Sequence, residues 1–269
     1  MKKRILLSLF TLFILYVKAQ KSFSSEYEAG YTLDYKMMNI PNAKSARTTF
    51  ILMINNKESY FKSTNVYVGD SLKYYKKLKE TGDTFTDYKT FSDYMSEYPE
   101  NIGTTAGKIY VTTPVTTANV SYEEPNNIEW KLINEFKTFG NDKCQKAVAT
   151  KYGRKWIAFF NPNIPLSFGP YKFNRLPGLI VELYDEKKDF HYKLYLFKKR
   201  KYVCKFANSY KNVRPSKKEK VYQWRKDAIL TTDYSEMLDK STDPETIRQL
   251  NQKSRKMYDQ YNPIELSPN

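Results

Sequence analysis

The chain contains one histidine, His191, and two cysteines, Cys144 and Cys204, so these residues and the carboxylates are where acid–base, nucleophilic or metal chemistry has to be sought. His191 falls within Phe190–Phe197, where Phe190, Tyr192, Leu194 and Leu196 alternate onto one face. Period two then turns His191 to the opposite, more polar face of a strand. No G-x-S-x-G accompanies it, so a Ser-His-Asp or Cys-His arrangement has no nucleophile signature. A zinc site would draw on His191, Cys144, Cys204 and a carboxylate, without any C-x2-C or H-x3-H spacing to gather them. There is no Walker loop and no G-x-G-x-x-G, which leaves nucleotide binding without support. Glu123-Glu124 is a carboxylate pair that needs a cleft before acid and base roles can be assigned. A hydrolase or metal-dependent enzyme centred on His191 therefore stands as one hypothesis, with no catalytic, metal or cofactor-binding residue assigned and no cofactor expected.

The elements around these residues begin with a leader. Lys2, Lys3 and Arg4 precede the apolar run Ile5 to Val17, and Val17-Lys18-Ala19 offers tolerated residues at −3 and −1. This pattern predicts a secretory signal peptide over 1–19 with cleavage before Gln20, and no cysteine follows to carry a lipid. Cleavage lowers the formal charge from +16 to +12 and leaves 250 residues, enough for one sizeable core. No later stretch has the roughly 18 apolar residues of a transmembrane span. The basic excess reads as spread along the chain, with dense runs at Lys198-Lys199-Arg200-Lys201 and Lys217-Lys218. A solvated basic face is its plain meaning, and attraction to an anionic envelope surface its functional one, with no nucleic acid expected. Export would put Cys144 and Cys204 in an oxidising compartment. A bridge between them would close a loop of about 60 residues, worth roughly 4 kcal/mol in the loop-entropy view. Free thiols on separate strands are the alternative.

Alternation predicts a strand over Tyr27 to Met37, and Thr48 to Ile54 with Ser59 to Thr64 predicts a hairpin across Asn55-Asn56-Lys57-Glu58. Residues 70–100 change to a spacing of three and predict short helices or an irregular excursion. Ile109 to Val115 is a threonine-rich strand whose Pro114 suggests an edge or a bulge. Strands follow over 128–136, 144–150, 156–160, 179–184 and 190–197, with tight links that make them consecutive and antiparallel. Helical signals return from about 215, where Ser216 and Glu219 have capping-box spacing and Asp243-Pro244 opens a helix over 244–260. The expected fold is mainly β: a curved antiparallel sheet or incomplete barrel with peripheral helices, forming one domain over 20–269.

The most organised stretch is SFGPYKFNRLPGLIVELYD, residues 167–185. Pro165 and Pro170 fix φ and remove donors, so 161–170 cannot pair fully in a sheet. Pro177-Gly178 turns the chain into Leu179-Ile180-Val181, where a residue without a side chain lets another strand approach closely. The motif thus reads as a crossing at the rim or seam of a curved sheet. Together with Lys143 to Ala147, Tyr152 to Trp156 and Asn161 to Pro165, the residues Gly169, Pro170, Leu176, Pro177, Gly178, Leu179 and Ile180 resemble the GLPGLI family of exported Gram-negative proteins over roughly 128–197. Arg175 stands where the family name has glycine; it either sits at an ordinary φ or occupies a position built for glycine. The resemblance implies export, a β-rich fold and work in the periplasm or at the outer membrane, and no established activity comes with it.

The functional expectation is noncatalytic binding of an apolar or amphipathic ligand, or of an envelope protein partner, through a tyrosine-lined concave face. The chain has 24 tyrosines, each with an apolar ring and a polar tip. The alternatives are the His191 enzyme and a basic module for anionic glycan or lipid.

Overall fold

The computed structural model describes residues 22–77, 81–82, 90, 92–230, 235 and 241–267. The leader over 1–19 and, within the helical excursion, Leu78, Tyr88 and Phe91 lie outside them. The strands are β1 (Phe23–Tyr35), β2 (Ala46–Ile54), β3 (Glu58–Ser63), β4 (Asn101–Thr105), β5 (Lys108–Val115), β6 (Ala118–Pro125), β7 (Lys131–Phe139), β8 (Asp142–Lys151), β9 (Arg154–Asn161), β10 (Leu179–Asp185), β11 (Phe190–Cys204) and β12 (Arg214–Pro215). The described helices include α1 (Thr64–Tyr74), α2 (Lys218–Leu230) and α3 (Pro244–Gln260), with a 3-10 turn at Ser92–Tyr94. The mainly β expectation is met by one open sheet of twelve strands in the order β12-β6-β5-β4-β3-β2-β1-β11-β10-β9-β8-β7.

Two meanders, β1–β6 and β7–β11, are joined side by side by antiparallel pairing of β1 with β11 from Phe23↔Cys204 to Tyr35↔Phe190. Local chemistry sets the turns. Asn55 Oδ1 accepts the backbone N–H of Lys57 at 2.9 Å and of Glu58 at 3.0 Å, which folds the β2–β3 link. Tyr152 and Gly153 have φ of 56° and 74°, the double left-handed turn that matches strand twist between β8 and β9. Pro114 lies within an inner strand, contrary to the edge suggested by its missing N–H. It pairs with Asn119 of β6, whereas the β4 pairing stops at Asn101↔Thr112, so the proline extends past that neighbour. At the other end of the chain, Asp243 caps α3 by accepting the Thr246 N–H at 3.0 Å, with Pro244 in the first turn.

The connection from β6 to β7 dictates the curvature. These strands are ten places apart in the sheet, about 48 Å if it were flat. Yet Pro125 and Lys131 are joined by residues 126–130 alone, a tether of at most about 20 Å. The sheet must curl until its two sides nearly meet, which makes it a barrel with a gap between β12–β6 and β7.

The inner face carries the large core, with Tyr31, Leu33, Phe50, Leu52, Phe61, Val111, Trp156, Phe160, Leu183 and Tyr192 all buried. Residues 162–178, the segment 261–267 and α2 close over it, contributing Phe173, Leu176, Ile264 and Val221 to the same cluster. The outer face is treated unequally. Over β2 and β3, Met53 and Tyr60 pack with Phe23, Phe206, Ala207 and Tyr67 of α1, and Lys62, itself buried, reaches Asp70 of α1 at 2.6 Å and the Ala207 carbonyl at 3.1 Å. Over β8–β10 the outer face bears only a thin cluster of Cys144, Ile157, Phe159 and Val181, with no described helix across it.

Candidate functional site

Two polar constellations emerge, one inside the sheet and one outside. Inside, Lys172 projects from the 162–178 segment and is fully buried. Its Nζ lies 2.6 Å from Glu265, 2.7 Å from Glu124 of β6 and 3.0 Å from the Tyr122 hydroxyl. Lys218, at the start of α2, bonds Glu124 and lies 3.1 Å from Glu265. The Tyr171 and Tyr222 hydroxyls donate to the two Glu265 oxygens. Tyr152 completes the wall, its ring 5.2 Å from Lys172 Nζ and 4.4 Å from Lys218 Nζ.

The electrostatics hold Lys172 and Glu265 in their charged forms. Burial disfavours the Lys172 ammonium, but Glu265, Tyr122 and Glu124 outweigh it and raise its pKa well above the usual lysine range. Burial likewise opposes ionised Glu265, and Lys172 and Lys218 overcome that to bring it down to about 2. Burial pushes the Tyr152 and Tyr171 hydroxyls up, so both stay protonated. Each of these side chains faces another member of the cluster. That arrangement ties chain segments together and leaves no group poised for proton transfer.

The motif residues are structural parts of this closure. A Cβ on Gly178 would overlap the Asn161 carbonyl and come within 3.1 Å of the Pro162 Cα. One on Gly169 would stand 2.8 Å from both Ile180 Cβ and the Phe173 carbonyl oxygen. Leu176, Leu179 and Ile180 are core residues, and Pro170 is buried while Pro177 is exposed. Arg175 has a φ of 70°, so the left-handed position is the one occupied by arginine. Its guanidinium donates to the Asn126 carbonyl at 2.6 Å, and Trp130 Nε1 donates to the Asn174 carbonyl at 2.8 Å. Both bonds fasten the motif to the short tether across the barrel gap.

Outside, His191 Nε2 lies 2.8 Å from Glu182 Oε1, and Lys137 of edge strand β7 holds the other Glu182 oxygen at 2.7 Å. Burial raises the Glu182 carboxyl, but His191 and Lys137 together leave it below its ordinary value. The Tyr184 ring stands 5.2 Å from the imidazole. A carboxylate is thus within reach of His191, on an outer sheet face. Among the described residues no three His, Cys, Asp or Glu side chains are grouped to hold a metal. Cys144 on β8 and Cys204 at the end of β11 are free buried thiols in different clusters, the arrangement of the second reading above.

The concave face expected to take a ligand is occupied by the protein's own 162–178 and 261–267 segments. The described surface does have two open depressions, one at the β1–β4 hairpin ends beside Asn55 to Glu58 and the other beside Trp130. The internal lysines and glutamates were hidden in the sequence by counting as surface charge. A signal was present for Lys172, which sits between Tyr171 and Phe173, and for Glu265, which follows Pro263-Ile264.

Charge is also less evenly spread than it reads. Residues 128–205 hold 17 Lys and Arg against 7 Asp and Glu, a net of +10, whereas the rest of the chain from residue 20 nets +2. The excess therefore belongs to β7–β11 and their links, which include the outer face of β8–β10 that no described helix crosses.

These features define an incomplete antiparallel barrel, stopped by its own loop and C-terminal segment and basic on one side. The fold is similar to part of PNGF-II: in two crystal forms the TM-scores are 0.53 and 0.52, at 11% identity, over 76% of this chain and 33% and 34% of the other. The chain spans about a third of the length of those solved chains, and at that identity the likeness is one of fold. No family model matches the chain, and no curated protein matches it.

Proposed function

We propose that the protein is an exported, noncatalytic cell-envelope component of the GLPGLI type that binds an anionic partner through the outer face and edge of β7–β11. The observation that carries this reading is the concentration of +10 net charge in residues 128–205, where the outer face of β8–β10 has no described helix across it. Aromatic rings share that surface: Lys137 Nζ lies 4.7 Å from the Phe139 ring centre and 5.6 Å from Phe159, and on the other face of the same edge Lys143 Nζ lies 4.2 Å from Phe136. Lysines over rings offer a partner both charge and apolar contact. The leader composition and the motif support export and family.

The test is binding of the exported chain to immobilised anionic polymers and to phosphatidylglycerol vesicles across a salt series. Retention at low salt that weakens about tenfold or more between about 50 and about 200 mM is expected from screening and counterion release. Charge reversal at Lys131, Lys137 and Lys143 should abolish it, and Lys57→Glu on the other half should not. Salt-insensitive binding, or none to any anionic surface, overturns the reading.

A further inference from the structure

We infer that the free edge of β7 and the barrel gap beside it form a strand-addition site for an extended acidic polypeptide segment. This rests on the anionic-partner reading and names the partner's class. Among the described residues β7 ends the sheet and pairs with β8 alone, so its other edge presents unpaired backbone N–H and C=O groups. The opposite side of the gap has already been extended in this way, since β12 adds to β6 in parallel through Arg214↔Val120 and Pro215↔Ser121. The tether over 126–130 limits the opening there to about 20 Å, at most a few strand spacings.

Side chains on this edge favour an occupant. Leu132 and Phe136 are 48% and 47% exposed, high values for large apolar residues on a strand. β8 continues beyond the first β7 pair, Lys131↔Val148, and a shallow depression lies there against Ala149 and Thr150, walled by Trp130 and flanked by Lys131 and Lys155. It continues the line of the strand edge and would receive one side chain of an added segment. A bulge between Ile133 and Phe136 leaves Asn134 and Glu135 without register partners on β8, although the Glu135 carboxylate accepts from Lys146 there at 2.6 Å. Bulges and lysines are the means by which edges refuse unselected strands. Lys131, Lys137 and Lys143 outnumber Glu129 and Glu135 along this edge and make the refusal selective, because an acidic segment meets an excess of complementary charge where a neutral or basic one does not. Main-chain pairing then supplies affinity, and alternate side chains supply choice.

The probe is a synthetic peptide the length of β7 that alternates glutamate and valine, compared with the same sequence N-methylated at every residue. Both carry the same charge, but the second has no backbone donor on either edge for strand addition. Expected are salt-dependent binding of the first peptide to the full chain, at least about tenfold weaker binding of the second, and new hydrogen-exchange protection confined to β7 amides. Phe136→Asp should abolish binding without moving the thermal transition. Equal binding of the two peptides, or binding without β7 protection, overturns strand addition while leaving the anionic-partner reading standing. So does protection of β7 by phosphatidylglycerol vesicles with no peptide binding, which assigns the edge to a membrane surface. If no anionic probe binds at low salt, both fall.

Discussion

Arg175 is a side chain with two opposing effects. Its φ of 70° puts an L-residue in the left-handed region, which costs about 1–2 kcal/mol relative to glycine. Its guanidinium repays part of that by donating to the Asn126 carbonyl. The two effects separate in a pair of variants. Arg175→Gly and Arg175→Ala both lose the guanidinium, but only alanine keeps the backbone strain. Denaturant unfolding should therefore show Arg175→Gly more stable than Arg175→Ala by about 1 kcal/mol, after allowing for glycine's freer unfolded chain. Equal stabilities would mean that the strain is relieved by a local shift. Gly178 makes the converse case, since it is demanded by close backbone approach and not by φ.

At the scale of elements, the C-terminal segment is held almost residue by residue. Asn262 N donates to the Met37 carbonyl, Leu266 N donates to the Tyr152 carbonyl, and buried Arg154 donates to the Pro263 and Ile264 carbonyls. Glu265 anchors it to the interior, and its sign is clear. The folded carboxyl titrates near 2, below the ordinary 4.5, so its contribution is complete above about pH 4.5 and is lost as pH falls toward 2. Glu265→Gln should be less stable than wild type at pH 7, and its stability should fall less steeply between pH 5 and 2, as urea melts across that range would show. Parallel pH curves would remove Glu265 from the acid transition. Much of the sheet was legible beforehand, because alternation marks β1, β2, β8, β9 and β10 within a few residues, and Asp243-Pro244 marks α3. The closure of the inner face was not. Lys172, Lys218, Glu124 and Glu265 count as solvated charge in any pattern reading, and only tertiary pairing makes them interior. α1 begins at Thr64, earlier than the spacing suggests, because β-branched Thr64, Val66 and Val68 speak for a strand while packing of Tyr67 on Phe206 decides for a helix.

For the whole molecule, the difficulty is that an open curved sheet has a gap across which its two sides could separate. β1–β11 pairing holds the meanders together on one side only. Across the gap the connection is made by Lys172, carried between β9 and β10, which grips Glu124 on β6 while Glu265 and Lys218 complete the clasp. The Arg175 bond to Asn126 runs the same way. If this clasp couples the meanders, native-state hydrogen exchange should find β3 and β9 opening together in the wild type. Lys172→Met leaves Glu124 and Glu265 with one buried cation between them and should cost about 3–5 kcal/mol. More tellingly, it should let the meanders open separately, with β9 and β3 exchanging at distinct free energies. Adding Glu265→Gln to Lys172→Met removes the orphaned charge, so the double variant should be more stable than the sum of the single losses allows. A uniform loss of protection across both meanders in Lys172→Met would mean that the β1–β11 seam alone makes the barrel cooperative, and that the buried charges serve only to seat the motif.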